Sequence, residues 1–305
     1  MTVAAAEEGT DEQVARAYGH QLIALARRDS RATAAFTVDV EDWYQSCVDY
    51  DAPITERVVR NVHRILAVLD DFGVKATFFV QGKVAETFPR LVRDLVNEGH
   101  EVQAHGYSHR PLTRMTRAEL RDECARARET VEAAAGSRVT AFRAQDFSIG
   151  AENLWALDVL AEAGFTVDSS IFPIRTPRYG VSGWPVGPHS VALAGGGQML
   201  EVPVAVWQSG RLRIPVAGGG YFRFAPAGVL TRALRSIAAV RPAVVYCHPY
   251  EFNPTELSEY RGAASAKLLF AQGVGRDSFV RRVRHLLAAL PFGRFDAALA
   301  AWDVT

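Results

Sequence analysis

Short apolar runs alternate with amphipathic stretches along most of the chain. The runs at 34–40 and 76–80 are apolar and rich in β-branched or aromatic residues, as buried strands of a parallel sheet are, and a further strand is predicted at 101–105. Further strands are predicted at 141–143, 165–170 and 243–248, and helices at 55–71, 89–98, 116–135, 152–163, 226–240 and 277–290. This alternation predicts an α/β fold with a largely parallel sheet or barrel, whose active residues collect at the carboxyl ends of the strands.

The first part of the chain is predicted to be helical. The segment 11–28 carries apolar residues at helical spacing, namely Val14, Tyr18, Leu22 and Leu25. We therefore expect residues 1–33 to form an N-terminal helical extension and residues 34–305 to form one catalytic domain.

The segment from Phe172 to Gly220 breaks the alternation. Its short apolar pieces are separated by Pro and Gly, including the GGG triplets at 195–197 and 218–220. Neither triplet has the following Lys-Ser/Thr of a phosphate loop. The region 172–220 is therefore interpreted as a loop-rich insertion or a β-hairpin region beside the site.

The charge balance argues against nucleic acid or membrane partners. Lys plus Arg and Asp plus Glu each number 34 among the 305 residues, so the formal net charge at pH 7 is zero. A basic helix is predicted at 277–290, but such a run is usually a solvated face. We expect neither nucleic acid nor a membrane as a partner.

The cysteines and the N-terminal segment indicate the compartment. Cys47, Cys124 and Cys247 are widely separated and form no C-x-x-C pair, so no disulfide framework or thiolate zinc site is indicated. No signal peptide and no run of about eighteen apolar residues is recognisable. We therefore expect a cytoplasmic protein.

The sequence HGYSH places two histidines directly after a predicted strand. His105 and His109 are four residues apart, so their imidazoles can converge on one ion, and imidazole is a common ligand of zinc-like metals. Pairs at this spacing also occur at surfaces or helix caps without a metal. The neighbouring carboxylates therefore decide the interpretation.

Those carboxylates lie in the sequence DVED, at the end of the first buried strand. It contains Asp39, Glu41 and Asp42. Two histidines and one carboxylate leave positions open for water and substrate, and a second carboxylate can accept a proton from that water. An acidic, solvated turn is the alternative interpretation.

A third histidine follows a strand late in the chain. His248 lies in the sequence CHPYE, where it could donate a proton to a leaving amine. A structural role in an apolar segment is the alternative.

The ordered blocks resemble a known family. They are DVEDW, ATFFVQG, GHEVQAHGYSH, FRA, VDSSIFP, GGGYFR and YCHPYEF, within residues 34–300. In this order they are similar to the polysaccharide deacetylases of the NodB-homology group, carbohydrate esterase family 4, and closest to the branch that accompanies bacterial exopolysaccharide synthesis. The resemblance implies a single domain with a distorted (β/α) barrel.

The resemblance also implies roles for individual residues. His105 and His109 resemble the metal ligands, together with Asp42. Glu41 is the alternative, either as the ligand in place of Asp42 or as a residue that holds a ligand from behind. The remaining roles are Asp39 as general base, His248 as general acid, Arg143 as the residue that orients the base, and Asp168 as the acid that tunes the catalytic histidine.

One departure from the family pattern concerns the residues after FRA. The family usually has a Pro and a small residue there, whereas this chain has Gln145 and Asp146. These two residues are expected to contact substrate. Aromatic and neighbouring residues expected to contact substrate are Trp43, Tyr107, Tyr221 and Tyr250.

The expected reaction is metal-dependent hydrolysis of an N-acetyl group on an amino sugar or a sugar-containing metabolite. Zinc is the expected ion, with cobalt, nickel or iron as alternatives. The backbone N–H groups near Tyr107, or the metal, would stabilise the oxyanion. The rival hypotheses are a deacylase for a small non-sugar amide and a catalytically silent carbohydrate-binding barrel.

Overall fold

The computed structural model of the protein describes residue 13, residues 16–27 and residues 33–304. Its strands are β1 (His20–Leu22), β2 (Ala34–Val40), β3 (Thr77–Val80), β4 (Glu101–Ala104), β5 (Ala141–Phe142), β6 (Val167–Asp168), β7 (His189–Ala192), β8 (Gln198–Glu201), β9 (Val206–Ser209), β10 (Leu212–Pro215), β11 (Ala243–Cys247) and β12 (Phe292–Gly293).

The α-helices within residues 33–304 lie between these strands, except the last, which follows β12. They are α1 (Trp43–Cys47), α2 (Glu56–Asp70), α3 (Gly82–Thr87), α4 (Pro89–Asn97), α5 (Arg117–Ala135), α6 (Ala156–Glu162), α7 (Gly220–Phe224), α8 (Ala227–Ala238), α9 (Ala266–Gly273), α10 (Phe279–Ala289) and α11 (Phe295–Ala300). Among the helices of the described ranges, none is both long and apolar enough to span a bilayer.

The main sheet has the order β11-β2-β3-β4-β5-β6-β8-β7-β1, and β12 also pairs with β2. Neighbours from β11 to β8 run parallel, while β7 and β1 are added antiparallel. All seven residues of β2 are buried, as expected for a central strand covered on both faces. This architecture confirms the predicted α/β class and a single domain of the distorted (β/α) barrel type.

The sheet brings the polar residues of the site to one edge. Asp39 lies near the end of β2, while His105 directly follows β4, Arg143 follows β5 and His248 follows β11. Since parallel strands present their carboxyl ends on the same side, residues distant in sequence meet there.

The predicted N-terminal helix is wrong for the residues that form β1. His20 pairs with Val191 of β7 in an antiparallel ladder, so its backbone hydrogen bonds belong to the sheet. Of the apolar residues on which the helix was predicted, Tyr18 and Leu22 are 40% and 42% exposed, whereas His20 is buried. The hydrogen bonds that β1 forms with β7 at the edge of the sheet thus outweigh the helical spacing of the apolar residues. Val14 lies outside the described residues.

The region 172–220 is richer in strands than a loop insertion would be. Strands β7 and β8 extend the main sheet, and β9 and β10 form a separate antiparallel hairpin. The segment before β7 carries Arg178 and Tyr179 to the pocket described below.

Candidate active site

Three buried side chains form a potential metal centre. Glu41, His105 and His109 each offer one donor atom, and these atoms lie within 4.8 Å of one another. The Glu41 Oε2 atom is 3.4 Å from His105 Nε2 and also contacts His109 Nε2. The His105 Nδ1 atom is 2.9 Å from the carbonyl oxygen of Arg143, which leaves its Nε2 atom free to bind a metal.

The surroundings of these donors fit a cation. The Nδ1 atom of His109 is buried and has no hydrogen-bond partner among the described residues, while its Nε2 atom lies against Glu41 Oε2. The other oxygen of Glu41 accepts hydrogen bonds from Tyr250 (3.0 Å) and Ser46 (3.2 Å). Burial acts to raise the pKa of Glu41, but His109 and His105 outweigh it and hold that pKa well below its ordinary value. Glu41 is therefore a carboxylate, as a metal ligand must be.

Asp42, expected to be the metal carboxylate, points elsewhere. It caps α1 by accepting from the backbone N–H of Tyr44 at 3.1 Å, and its other oxygen accepts from the N–H and hydroxyl of Thr55 at 3.0 and 2.5 Å. Successive side chains of an extended segment face opposite sides, so Asp39 and Glu41 share the side that Asp42 leaves. The geometry thus favours the alternative ligand, Glu41.

The loop of HGYSH is held by residues behind it. The backbone N–H groups of Tyr107 and Ser108 donate to Glu123 Oε1 at 2.8 and 2.7 Å. A Cβ atom at Gly106 would lie 2.4 Å from the Gln145 side chain, so only glycine fits. An oxyanion contact from the N–H groups of Tyr107 and Ser108 is therefore contradicted, because Glu123 already accepts their hydrogens, and the metal remains as the alternative.

Asp39 forms a buried ion pair with Arg143. The Arg143 Nη1 atom is 2.8 Å from Asp39 Oδ1 and donates to the Thr37 hydroxyl at 2.6 Å. The other guanidinium groups donate to Ser169, and the guanidinium carbon lies 4.1 Å from the centroid of the Phe79 ring. Arg143 thus fixes the position of Asp39.

His248 is paired with Glu251. The His248 Nδ1 atom is 3.1 Å from Glu251 Oε2, and the His248 ring stacks on Tyr250 with centroids 4.9 Å apart. Burial acts to lower the pKa of His248, but Glu251 and then Glu41 oppose it and raise the pKa to about 9. The histidine therefore carries a proton at neutral pH.

The prediction that Asp168 tunes this histidine is not supported by its contacts. Asp168 Oδ1 accepts from the Ser170 hydroxyl at 2.5 Å, and Oδ2 accepts from the Ser170 N–H at 3.2 Å. Burial raises the pKa of Asp168, which also forms a hydrogen bond with Glu201. Asp168 therefore stabilises the segment after β6, and Glu251 takes the place beside His248.

These side chains surround one pocket. Its cavity has a volume of about 170 Å³ and opens to solvent on one side. The predicted site residues that line it are Asp39, Glu41, His105, His109, Asp146, His248 and Tyr250.

Two of the predicted substrate contacts are used elsewhere in the structure. Trp43 is fully buried and packs against Tyr260 at a centroid distance of 4.8 Å. The Tyr107 hydroxyl donates to Glu86, and the Arg126 guanidinium covers its ring at 3.8 Å. Both predictions are wrong for this pocket, because these aromatic side chains fill packing positions.

Two further predicted contacts also lie outside the pocket lining. The Gln145 amide donates to the Arg110 carbonyl at 2.9 Å and to Glu123 at 3.2 Å, so it supports the loop behind the metal centre. The Tyr221 hydroxyl is 3.3 Å from the Tyr179 hydroxyl, and only Tyr179 lines the pocket.

Several lining residues were not predicted from the sequence. They include Cys47, Phe147, Arg178, Tyr179, Arg223, Tyr246, Glu251 and Gln272. Arg178 forms an ion pair with Asp146 at 2.9 Å, although the two residues lie on different loops. Arg223 and Glu251 belong to blocks GGGYFR and YCHPYEF, so their position in these blocks was the available signal.

Comparisons with known proteins match both halves of the chain. Residues 29–167 match the family model described as polysaccharide deacetylase, and residues 169–300 match one described as a domain of unknown function, DUF3473. A chitooligosaccharide deacetylase of Bradyrhizobium sp. is 36% identical over 121 residues, which are 38% of this chain and 53% of that protein.

A second relative and one solved structure agree. A peptidoglycan-N-acetylglucosamine deacetylase of Bacillus cereus is 40% identical over 73 residues, 24% of this chain and 26% of that protein. The chain thus spans about a quarter to a half of the length of these curated relatives. A structure described as a putative polysaccharide deacetylase from Mycobacterium smegmatis has 23% identity and a TM-score of 0.56, covering 86% of this chain and 94% of that one, and shows the same fold.

The family match includes the blocks that supply Asp39, Glu41, His105, His109 and Arg143. Residues 29–167, which supply these side chains, therefore belong to the polysaccharide deacetylase family, to which the resemblance of the sequence blocks to the NodB-homology group also points.

Proposed function

We propose that the protein is a metal-dependent deacetylase that hydrolyses the N-acetyl group of an amino sugar or a sugar-containing metabolite. The observation that carries the proposal is the convergence of the Glu41, His105 and His109 donors in the pocket that Asp39 and His248 also line. The names of the relatives, which are deacetylases of chitooligosaccharide and peptidoglycan, support the substrate class.

A divalent ion held by Glu41, His105 and His109 would polarise the acyl carbonyl and lower the pKa of water toward neutrality. Two imidazoles and a carboxylate suit zinc, which we propose as the ion, although cobalt, nickel and iron accept the same donors.

The chain's own residues would handle the protons. Asp39, held by Arg143, would accept the proton of the attacking water, and the His248 imidazolium would donate one to the departing nitrogen. Glu251 binds His248 at Nδ1, which leaves Nε2 as the donor and keeps the ring protonated.

We also propose that residues 34–305 act as one catalytic unit. The two family matches meet between residues 167 and 169, yet Glu41 and His105 from the first half line the same pocket as Tyr246 and His248 from the second. Neither half alone would contain both a metal centre and the acid.

Metal analysis combined with acetate release tests the proposal. The purified protein should hold about one divalent ion per chain and release acetate from N-acetylated sugars. His105→Ala and His109→Ala should lose both properties, whereas His63→Ala, which removes an exposed histidine of α2, should keep both.

The outcomes separate the rival hypotheses. Bound metal and acetate release from simple amides but not from sugars would indicate the small-amide deacylase. Sugar binding without acetate release, in a protein that has its metal, would indicate the silent barrel and refute the proposed activity.

A further inference from the structure

Arg223 has unused hydrogen-bond donors in the pocket. Its side chain is only 10% exposed, and its Nη1 atom is fixed by the carbonyl oxygens of Ala271 (3.3 Å), Gln272 (2.5 Å) and Val274 (3.4 Å). The buried Nε atom has no hydrogen-bond partner among the described residues. A buried guanidinium donor without a partner is costly, so a bound acceptor would stabilise it.

The remaining donor group of Arg223 lies beside another residue of the pocket lining. Its Nη2 atom is near Gly220, which lines the pocket, since a Cβ atom at Gly220 would lie 3.5 Å from it. Glu251 is the nearest carboxylate, but its Oε1 atom is 3.9 Å from Arg223 Nε, beyond hydrogen-bond distance, and its other oxygen is bound to His248.

A second guanidinium lies at the mouth of the pocket. The side chain of Arg178 is 69% exposed, and one of its nitrogens pairs with Asp146 at 2.9 Å. A guanidinium has five N–H donors in a planar fork that matches carboxylates and phosphates, so most donors of Arg178 remain for a ligand.

The charge balance of the pocket also favours an anion. Its carboxylates are Asp39, Glu41, Asp146 and Glu251. They are matched in number by Arg178, Arg223 and protonated His248 of the lining together with Arg143, which lies behind the lining and pairs with Asp39. The divalent ion of the proposed metal centre would then leave the pocket with excess positive charge. A neutral sugar leaves this charge uncompensated, whereas an acidic sugar compensates it.

We propose that Arg223, assisted by Arg178, forms an anion subsite, so that the preferred substrate is an N-acylated sugar that carries a carboxylate or a phosphate. This inference rests on the proposed function, because it names the substrate class of the same pocket. Arg223 is the preorganised anchor, since its Nη1 contacts hold the guanidinium in place before the ligand arrives.

A binding experiment tests the subsite without requiring turnover. Calorimetry on metal-loaded protein carrying Asp39→Asn would compare N-acetylglucosamine with N-acetylglucosaminuronic acid and with the 1- and 6-phosphates of N-acetylglucosamine. At least one acidic sugar should bind ten or more times tighter than the neutral sugar, and the carboxylate and phosphate arms identify which anion fits.

Matched substitutions assign the effect to the guanidinium. Arg223→Gln should remove most of the preference for the acidic sugar, Arg178→Gln should reduce it, and Arg175→Gln, an exposed arginine of the same loop as Arg178, should leave it unchanged. If Arg223→Gln acted indirectly, through Glu251 and His248, it would weaken the binding of neutral and acidic sugars alike. The deciding quantity is therefore the ratio of the Kd for the neutral sugar to the Kd for the acidic sugar.

Two results would overturn the subsite. One is binding of every acidic sugar within twofold of N-acetylglucosamine, and the other is an acidic preference that survives Arg223→Gln. Failure of the proposed function is distinguishable, because the wild-type protein would then release no acetate from any of these sugars, whatever their binding affinities.

Discussion

Replacing Glu251 with glutamine should move the alkaline limit of activity to lower pH. Glu251 is the main group that raises the pKa of His248 from 6.5 to about 9, against burial, which lowers it. This difference corresponds to about 3 kcal/mol in favour of the charged imidazolium, since one pKa unit is about 1.4 kcal/mol. Without the carboxylate, burial is opposed only by the more distant Glu41 and Asp39.

The expected result is specific in direction and size. If His248 must be protonated to act as the acid, kcat/KM of the wild-type protein should fall as the pH rises through about 9. In Glu251→Gln the same decline should begin at least one pH unit lower. An NMR titration of the His248 ring protons measures the pKa directly, and Glu259→Gln, an exposed glutamate, is the matched control.

The same pair makes stability depend on pH. Because the folded-state pKa of His248 is raised, its stabilisation is fully present below about pH 6.5 and is lost as the pH rises through about 9. Urea unfolding of the wild-type protein between these pH values should show this loss, and Glu251→Gln should show much less of it. An unchanged alkaline limb together with an unchanged ring titration in Glu251→Gln would refute the reasoning.

Further substitutions test the remaining assignments. Glu41→Gln should lose the metal, whereas Asp42→Ala should keep it. Asp42→Ala should instead lower the free energy of unfolding by about 1 to 2 kcal/mol, because the helix cap is lost. Loss of the metal in Asp42→Ala but not in Glu41→Gln would reverse the assignment. Asp39→Asn should keep the metal, measured after dialysis, and lower kcat by at least about a hundredfold. Gly218→Ala should lower the free energy of unfolding, measured in urea, by on the order of 3 kcal/mol, because its Cβ would lie 1.7 Å from the Tyr246 carbonyl oxygen. Gly228→Ala is the control and should be tolerated, because no atom lies within 4 Å of its Cβ position. Finally, kcat/KM should not rise along a series of N-acetylglucosamine oligomers, since residues 172–220 contribute to the pocket wall; a steady rise with length would indicate an open polysaccharide groove.

The sequence predicted those site residues that strands deliver. Asp39, His105, Arg143 and His248 each lie at or just after the carboxyl end of a parallel strand, and strand order brings these ends together whatever the loops do. The same rule of strand geometry distinguishes Glu41 from Asp42. Side chains alternate along the extended backbone from the end of β2 to Asp42, so Asp39 and Glu41 share a side and Asp42 faces the other.

The residues that sequence reasoning missed come from loops and long-range contacts. Arg178 meets Asp146 across 32 positions, and nothing in the local sequence of either residue fixes that distance. Asp168 was predicted to be the partner of His248. The structure has Glu251 there instead, because Glu251 lies three residues after His248 and its carboxylate reaches the His248 ring within one turn. The strand at His20 was missed because its partner, β7, lies about 170 residues away.

Gln145 and Asp146 are adjacent in the sequence but have different positions at the site. Sequence comparison marked both as departures from the family pattern, but one supports the HGYSH loop from behind and the other lines the pocket. Asp146 and Phe147 both adopt left-handed backbone conformations, with φ of 55° and 51°, which cost on the order of 1 to 3 kcal/mol each for residues other than glycine. Buried contacts must offset that cost, and the Gln145 amide supplies two of them, to Arg110 and Glu123. The buried amide therefore holds the strained turn that directs the Asp146 carboxylate to Arg178, so the two departures act as one unit at the mouth of the pocket.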